Sequence, residues 1–288
     1  MSSQTENGSP ELDAPVAGRW PRDVLVVRGP DAVSYLQGQV SADVVTLDVG
    51  QSTLGLLLAP TGKLEGVVRL WRTDEHVVVL DTDAGGGAAV EARLRRFLLR
   101  TDAVIEALRW ECVVIRGPGS TDVDTDGTGA ELVGLGMWPG IDGMDLLGPA
   151  VSLPPGVAEA PAELVEALRI RAGWPTFGAE VDDSVIPAEI GPWLITAAVS
   201  FTKGCYVGQE LTARIDSRGN NVPRNLRVLE LPPGVTAAVG DEISLAGEDP
   251  TVVGVVTSAA VDPRSGTTIA LGFVKRSVGE SAELRAGS

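Results

Sequence analysis

The sequence predicts an α+β protein in which a strand–helix cycle runs twice and is followed by a C-terminal antiparallel β-barrel. Three observations carry this reading. Alternating β-branched runs and amphipathic helical runs follow one another over residues 23–171. From Asn225 onward the texture changes to short β-runs separated by proline and glycine, with little helix. A chain of 288 residues is long enough for two or three domains around sizeable cores. The divisions expected are a disordered tail over 1–18, a first α+β subdomain over 19–118, a second over 131–222 and the barrel over 223–288.

The tail is polar, acidic and Pro/Gly-containing, as disordered segments are. It has neither the basic-plus-apolar form of a signal peptide nor the Arg-rich form of a transit peptide. No run is long and apolar enough to span a membrane, so a cytoplasmic location is expected. Residues 23–28 alternate and are β-branched, a strand, and residues 31–37 read as a short helix with Val33 and Leu36 inward. A meander follows: a strand over 54–58, a turn at Ala59-Pro60-Thr61-Gly62, a strand over 64–71 and another over 77–80. His76 opens the last of these and reads as structural or solvated.

Gly85-Gly86-Gly87 precedes an amphipathic helix with Val90, Leu94, Phe97 and Leu98 on one face. The triplet has neither the Walker lysine nor the G-x-G-x-x-G spacing, so it reads as a flexible loop rather than a phosphate cradle. Strands are expected over 104–108 and 111–116, then an exposed loop over 117–129. The second cycle holds a strand over 145–147 and a helix over 161–171, with proline in its first turn and Glu163 and Glu166 early. The connection 174–202 shows little regular pattern, which in a compact domain points to function. Its Trp174 and Trp193 either stack on a flat ligand ring or seal the core. The closing β-runs are 226–231, 242–245, 251–261 and 268–274.

Hydrophobic content of 44% and charged content of 22% are those of a soluble globular protein. A net charge of −16 argues against broad nucleic-acid binding, because a phosphate backbone would be repelled. Residues 201–227 carry a local surplus of three positive charges: Lys203, Arg214, Arg218, Arg224 and Arg227 against Glu210 and Asp216. That surplus is either a salt-bridged surface or an anion site. The two cysteines, Cys112 and Cys205, make no metal or disulfide framework, and with one histidine no metal site is expected. Cys112 lies in an apolar strand and reads as core.

Cys205 is different. In Lys203-Gly204-Cys205-Tyr206-Val207-Gly208-Gln209-Glu210 it stands between glycines, two residues from an ammonium and just before a helical pattern of Val207, Leu211 and Ile215. A cation and a helix N-terminus both favour thiolate, so Cys205 and Lys203 are the candidate reactive pair.

This stretch resembles the K-G-C-[FY]-x-G-Q-E signature of the YgfZ family, folate-binding relatives of the glycine-cleavage T-protein that support iron–sulfur cluster assembly. Residues 29–44 resemble the family's opening motif, Leu168 to Pro175 its central L-R-I-x-x-G-x-P, and Ile186 to Glu189 its P-x-E. The resemblance implies tetrahydrofolate, or a related folate, held in a central opening between domains of the T-protein arrangement. It places Gln37, Trp193, Tyr206, Gln209, Glu210 and Arg214 around the folate and Cys205 as the working thiol. Iron–sulfur client enzymes or assembly proteins are the implied partners. The alternative it leaves is a tetrahydrofolate-dependent aminomethyltransferase or other one-carbon transferase. Against that alternative, the transferases' Asp-Asp pair aligns with Leu64-Glu65-Gly66, and their folate-gripping acid aligns with Arg171.

Overall fold

The computed structural model describes residues 12–212, 221–247 and 251–287. Three five-stranded sheets organise them. The first sheet is built from β2 (Arg22–Arg28), β3 (Ser52–Leu58), β4 (Leu64–Asp74), β5 (Val77–Asp83) and β6 (Val104–Leu108), in the order β3-β4-β5-β2-β6 and antiparallel throughout. Helices α1 (Ala32–Gln39) and α2 (Gly87–Arg96) cover its outer face, where Leu36, Leu57, Leu70, Leu80 and Leu94 form one core.

The second sheet takes β1 (Val16–Arg19), β7 (Glu111–Arg116), β8 (Leu132–Leu135), β9 (Gly143–Gly148) and β10 (Ala158–Glu159), in the order β10-β1-β7-β9-β8. Strand β1 begins inside the segment read as a tail and ends one residue beyond it. Its Ala17 is fully buried, and β1 runs parallel to β10 and antiparallel to β7. Strand β7 likewise belongs here and not with the first sheet. The strand orders of the two sheets differ, and the internal repeat read from the sequence is not confirmed by them.

Helix α3 (Ala162–Arg171) follows, and the connection after it holds two short helices, α4 (Pro187–Ile190) and α5 (Pro192–Ala198). Each begins on a proline, whose missing N–H and fixed φ suit a first helical turn. The buried carboxylate of Glu180 ties this connection to the third sheet, accepting from Thr257 Oγ1 at 2.6 Å and Ser258 Oγ at 2.7 Å.

The third sheet has the order β11-β14-β13-β12-β15, from β11 (Arg224–Glu230), β12 (Glu242–Leu245), β13 (Val252–Val261), β14 (Thr268–Lys275) and β15 (Leu284–Ala286). It is a curled half-barrel and not the closed barrel expected. The edge strand β11 does not meet β15; α4 lies against it instead, and Arg224 Nε pairs with Glu189 at 3.1 Å. Covering an edge with a helix shields it from pairing with another strand. Among the described residues no helix is long and apolar enough to cross a membrane.

The largest core lies where the inner face of the first sheet meets the second sheet, α3 and the 174–206 connection. Leu56, Leu58, Trp71, Val114, Leu147, Leu168, Trp174, Leu194 and Tyr206 meet there.

Candidate functional site

The loop that carries Cys205 is fastened to the first sheet before it reaches the cysteine. Ser41, fully buried, donates its hydroxyl to the Ala198 carbonyl at 2.6 Å and accepts from the Leu56 N–H at 2.8 Å. The Ser200 N–H donates to the Ser41 carbonyl at 3.0 Å. One residue of the α1–β3 connection thus joins the end of α5, strand β3 and the start of the loop.

Lys203 makes the next fastening. Its ammonium donates to the carbonyls of Gln37 (2.5 Å), Val40 (2.6 Å) and Ala42 (2.7 Å), at the C-terminal end of α1 and just beyond. The Tyr206 ring lies 5.1 Å away on another side. An ammonium has three N–H donors and all are matched, so none remains to hold a thiolate at Cys205. Burial draws the Lys203 pKa down to about 8, with Asp43 acting in the opposite sense. Lys203 therefore anchors the loop, which the sequence argument did not anticipate.

Helix begins at residue 209, with a turn at Val207-Gly208 between it and Cys205. Cys205 is consequently not the residue that opens the helix. Gly208 has φ +84°, and a Cβ there would come within 2.6 Å of Leu58 Cβ and 2.7 Å of the Ala59 carbonyl. Gly62, φ +75°, in the β3–β4 turn, would collide in the same way with Leu211 Cβ at 2.6 Å. The two glycines let the hairpin turn and the cysteine loop press together. Around Gly204 there is open space. Cys205 is exposed beside it, whereas Cys112 on β7 is buried and its thiol pKa is pushed well up by desolvation.

The remaining predicted residues separate into two groups. Gln37, Tyr206 and Gln209 belong to the same construction. Gln37 donates to Asp43 Oδ1 at 3.0 Å and accepts from the Val44 N–H at 2.7 Å, while Gln209 Oε1 accepts from the Tyr206 N–H at 3.2 Å. Tyr206 is buried and belongs to the main core, and Glu210 is exposed. Trp193 packs elsewhere, with its ring 5.7 Å from that of Trp174. Arg214, Arg218 and Gly219 lie outside the described residues.

Two features escaped the sequence argument. The glycine triplet before α2 is capped by a carboxylate: Asp23 Oδ2 accepts from the N–H groups of Gly85 (2.9 Å) and Gly87 (2.8 Å), filling the place a phosphate would take. Between the first two sheets lies a buried ionic cluster. Arg22 pairs with Asp81 at 2.6 Å and with Asp83, and Trp71 Nε1 donates to Asp81 at 2.6 Å. Arg69 and Arg116 share Asp145, at 2.9 and 2.7 Å, and stack over Trp71 and Trp138. Arg69 and Trp71 fall on one face because strand residues two apart do, and Asp81 stands directly opposite Arg69 on β5.

The resemblance implies a folate in the space between these sheets, and the side chains there can be tested against it. The cavity lined by Arg22, Arg69, Cys112, Arg116, Trp138 and Asp145 measures ≈ 20 Å³. That is room for about one water molecule, against roughly 300–1,000 Å³ for sites that enclose small organic ligands. Glu65, the remnant of the transferases' acid pair, is held by Arg93 at 2.6 Å. As they stand, the residues between the sheets do not fit a pterin. An open cleft of ≈ 390 Å³, bounded by α3 and by the loops after β7 and β8, is of ligand size.

No family model matches the chain. A protein of Haemophilus influenzae described as uncharacterized is 29% identical over 231 residues, 77% of this chain and 75% of that one. The tRNA-modifying protein YgfZ of Vibrio atlanticus is 28% identical over 249 residues, covering 79% and 72%. An aminomethyltransferase of Streptomyces avermitilis is 26% identical over 285 residues, covering 87% and 75%. The solved glycine-cleavage aminomethyltransferase T of Bartonella henselae superposes with a TM-score of 0.70 at 18% identity, over 94% of this chain and 81% of that one, a likeness of fold. In sequence the chain is similar to proteins named YgfZ and to aminomethyltransferases, and its fold is that of an aminomethyltransferase, as a YgfZ-type protein's would be.

Proposed function

We propose that this chain is a folate-dependent factor that supports assembly or repair of iron–sulfur enzymes, with Cys205 as its working thiol. The observation that carries the proposal is the contrast between the two cysteines. Cys112 is sealed in the core, while Cys205 is exposed on a loop fastened to α1 through Lys203 and pressed on the β3–β4 turn through Gly208. A thiol held out on an anchored loop suits transfer to, or ligation within, a partner protein, where an intramolecular catalyst would enclose it. Thiolate is also the ligand that soft iron–sulfur centres select. Among the described residues no group of three or more His, Cys, Asp or Glu side chains could hold a metal, so the cluster belongs to the client in this reading.

Superfamily membership supports a folate as cofactor. The centre being filled, the cleft beside Arg171 is one ligand-sized place that could receive it. Relatives named for tRNA modification bring tRNA maturation among the processes served. The net charge of −16 favours service through a partner enzyme over direct contact with RNA. The one-carbon-transferase alternative is disfavoured by the Glu65–Arg93 pair, which leaves no uncommitted carboxylate at the transferases' acid position.

The test is complementation of a deletion strain, scored by the activity of an iron–sulfur enzyme. Cys205→Ser should abolish rescue with an unchanged circular dichroism spectrum. Full rescue by that variant would remove the thiol from the mechanism. Loss of rescue by Glu65→Gln with a native spectrum would favour the transferase instead.

A further inference from the structure

The second sheet stops short of covering the first. Its order ends at β8, which pairs with β9 on one side and, among the described residues, with no strand on the other. The Gly136 N–H donates to the Gly143 carbonyl at 2.7 Å and continues the β8–β9 ladder. Bonded positions alternate along an antiparallel pair. Gly134 therefore faces β9, while Val133 and Leu135 turn their N–H and C=O groups to the free side. The side chains of the same two residues are exposed, Val133 by 40% and Leu135 by 65%.

Beside that free edge lies an open groove of ≈ 390 Å³. Its floor is the inner face of the first sheet, with Val26 on β2, Val77 and Val79 on β5 and Leu108 on β6. Trp110 and Leu132 wall it, and no residue of β9 lines it, so it opens on the unpaired side of β8. These six residues belong to the main core or pack against it. Other sheet edges are guarded. Helix α4 lies against β11, and the Arg95 guanidinium donates to the Ile105 carbonyl of edge strand β6 at 2.6 Å. Strand β8 has no such guard among the described residues. An unguarded edge beside an apolar groove is a template for an added strand: main-chain bonds hold it and alternate side chains fill the groove.

Charge narrows the occupant. Arg28 on the groove rim is paired with Glu106. Glu131, which precedes β8 and also lines the groove, is exposed and has no ion pair among the described residues. The groove keeps an uncompensated acid in a chain of net charge −16, and both favour a cationic partner. A second copy of this chain is equally acidic, and its own first sheet would meet the floor that projects past β8.

We propose that an extended segment of a partner protein adds to β8 as the sixth strand of this five-stranded sheet, with apolar side chains at alternate positions in the groove and a lysine or arginine beside Glu131. The inference rests neither on Cys205 nor on a folate.

Calorimetry on the full chain decides it, with a capped heptapeptide of alternating lysine and valine as the probe. The peptide should bind. Versions with serine for valine, or with glutamate for lysine, should each bind at least about tenfold more weakly. Two further versions carry N-methyl groups, one on the lysine amides and one on the valine amides. Only one set of amides faces β8 in an added strand, so one version should bind as the parent peptide does and the other should not. Val133→Pro removes an N–H that β9 does not use and should weaken the peptide by about tenfold. Should its thermal midpoint fall, Glu131→Gln is read instead; it should weaken binding and flatten the salt dependence. Sedimentation of the chain alone covers the other occupant: self-association that Val133→Pro abolishes would give the edge to a second copy and overturn the proposal. No binding at millimolar peptide, equal binding of the serine or glutamate version, or N-methylated versions that behave alike would each overturn it too. So would Val133→Pro and Glu131→Gln variants that both bind as the parent does. Cys205→Ser should bind the peptide unchanged, so this result and the complementation result fail or succeed separately.

Discussion

The ammonium of Lys203 and the carbonyl of Gln37 are 166 residues apart in the chain and 2.5 Å apart in space. Through this bond and its two companions, the cysteine signature and the opening motif of the sequence become one piece of structure. The lysine works as a knot whose three strands are the carbonyls of Gln37, Val40 and Ala42. Lys203→Met should cost on the order of 1–3 kcal/mol in urea unfolding, the range for losing hydrogen bonds made by a charged group.

The same residue gives a pH signature. Burial sets the folded pKa at about 8, below the ordinary lysine value of 10.5. Between those values the unfolded chain binds more protons than the folded one, so the contribution to stability is lost as pH falls through the folded pKa and is fully present above the unfolded one. The stability difference between the parent and Lys203→Met should therefore shift in the parent's favour as pH rises through this window. Urea midpoints of both proteins at several pH values check it; a gap that is flat or shrinks would refute the burial argument.

Two glycines of the signature should respond oppositely to alanine. Gly208→Ala forces a Cβ into Leu58 and the Ala59 carbonyl from a left-handed backbone, and should destabilise by about 2 kcal/mol or more. Gly204 has open space around it and no positive φ, so Gly204→Ala should stay within about 0.5 kcal/mol of the parent. Thermal melts of the pair separate a packing requirement from a sequence habit.

Alkylation should distinguish the cysteines. In the native protein iodoacetamide should modify Cys205 alone, because Cys112 is buried and desolvation holds it as the thiol. In urea both should react. Peptide mass spectrometry reads the outcome directly, and early modification of Cys112 in the native state would show that the core between the sheets opens.

Asp145 serves two buried arginines at once, Arg69 and Arg116. Asp145→Ala leaves both without their carboxylate in a space that holds about one water, and should cost about 3–5 kcal/mol. Replacing the whole triad by apolar residues of similar volume should cost much less, since the penalty is that of unpaired charge.

Much of the architecture was legible because strands and helices announce themselves by period. The strands read at 104–108, 111–116 and 242–245 occur at those residues, and the helix read at 161–171 begins one residue later. Helices α4 and α5 were missed although Pro187 and Pro192 mark their first turns, because four and seven residues are too few to show a helical period. Of the site, the exposed cysteine and its motif stood out in the sequence. The partners of Lys203 did not, since a bond from a side chain to backbone carbonyls leaves no trace in residue identity at Gln37, Val40 or Ala42. The ionic cluster had a signal in Arg69, Asp81 and Asp83, charges set into otherwise apolar strands. Without the facing sheet, nothing in the sequence said that Arg116 and Asp145 would meet them.

Strand β1 has a consequence for how the chain can be divided. It lies between β7 and β10, so the described chain passes first through the second sheet, leaves to build the whole first sheet and its two helices, and returns at β7. The first unit is thus an insertion looped out of the second, attached by two crossings, at residues 20–21 and 109–110. A protease that severs either crossing leaves the halves joined by the other. A fragment that begins at Arg22 would carry a complete first sheet but strip β10 of its neighbour and leave the flank of β7 bare. The unit that can be inherited, truncated or moved intact is therefore the pair of sheets together.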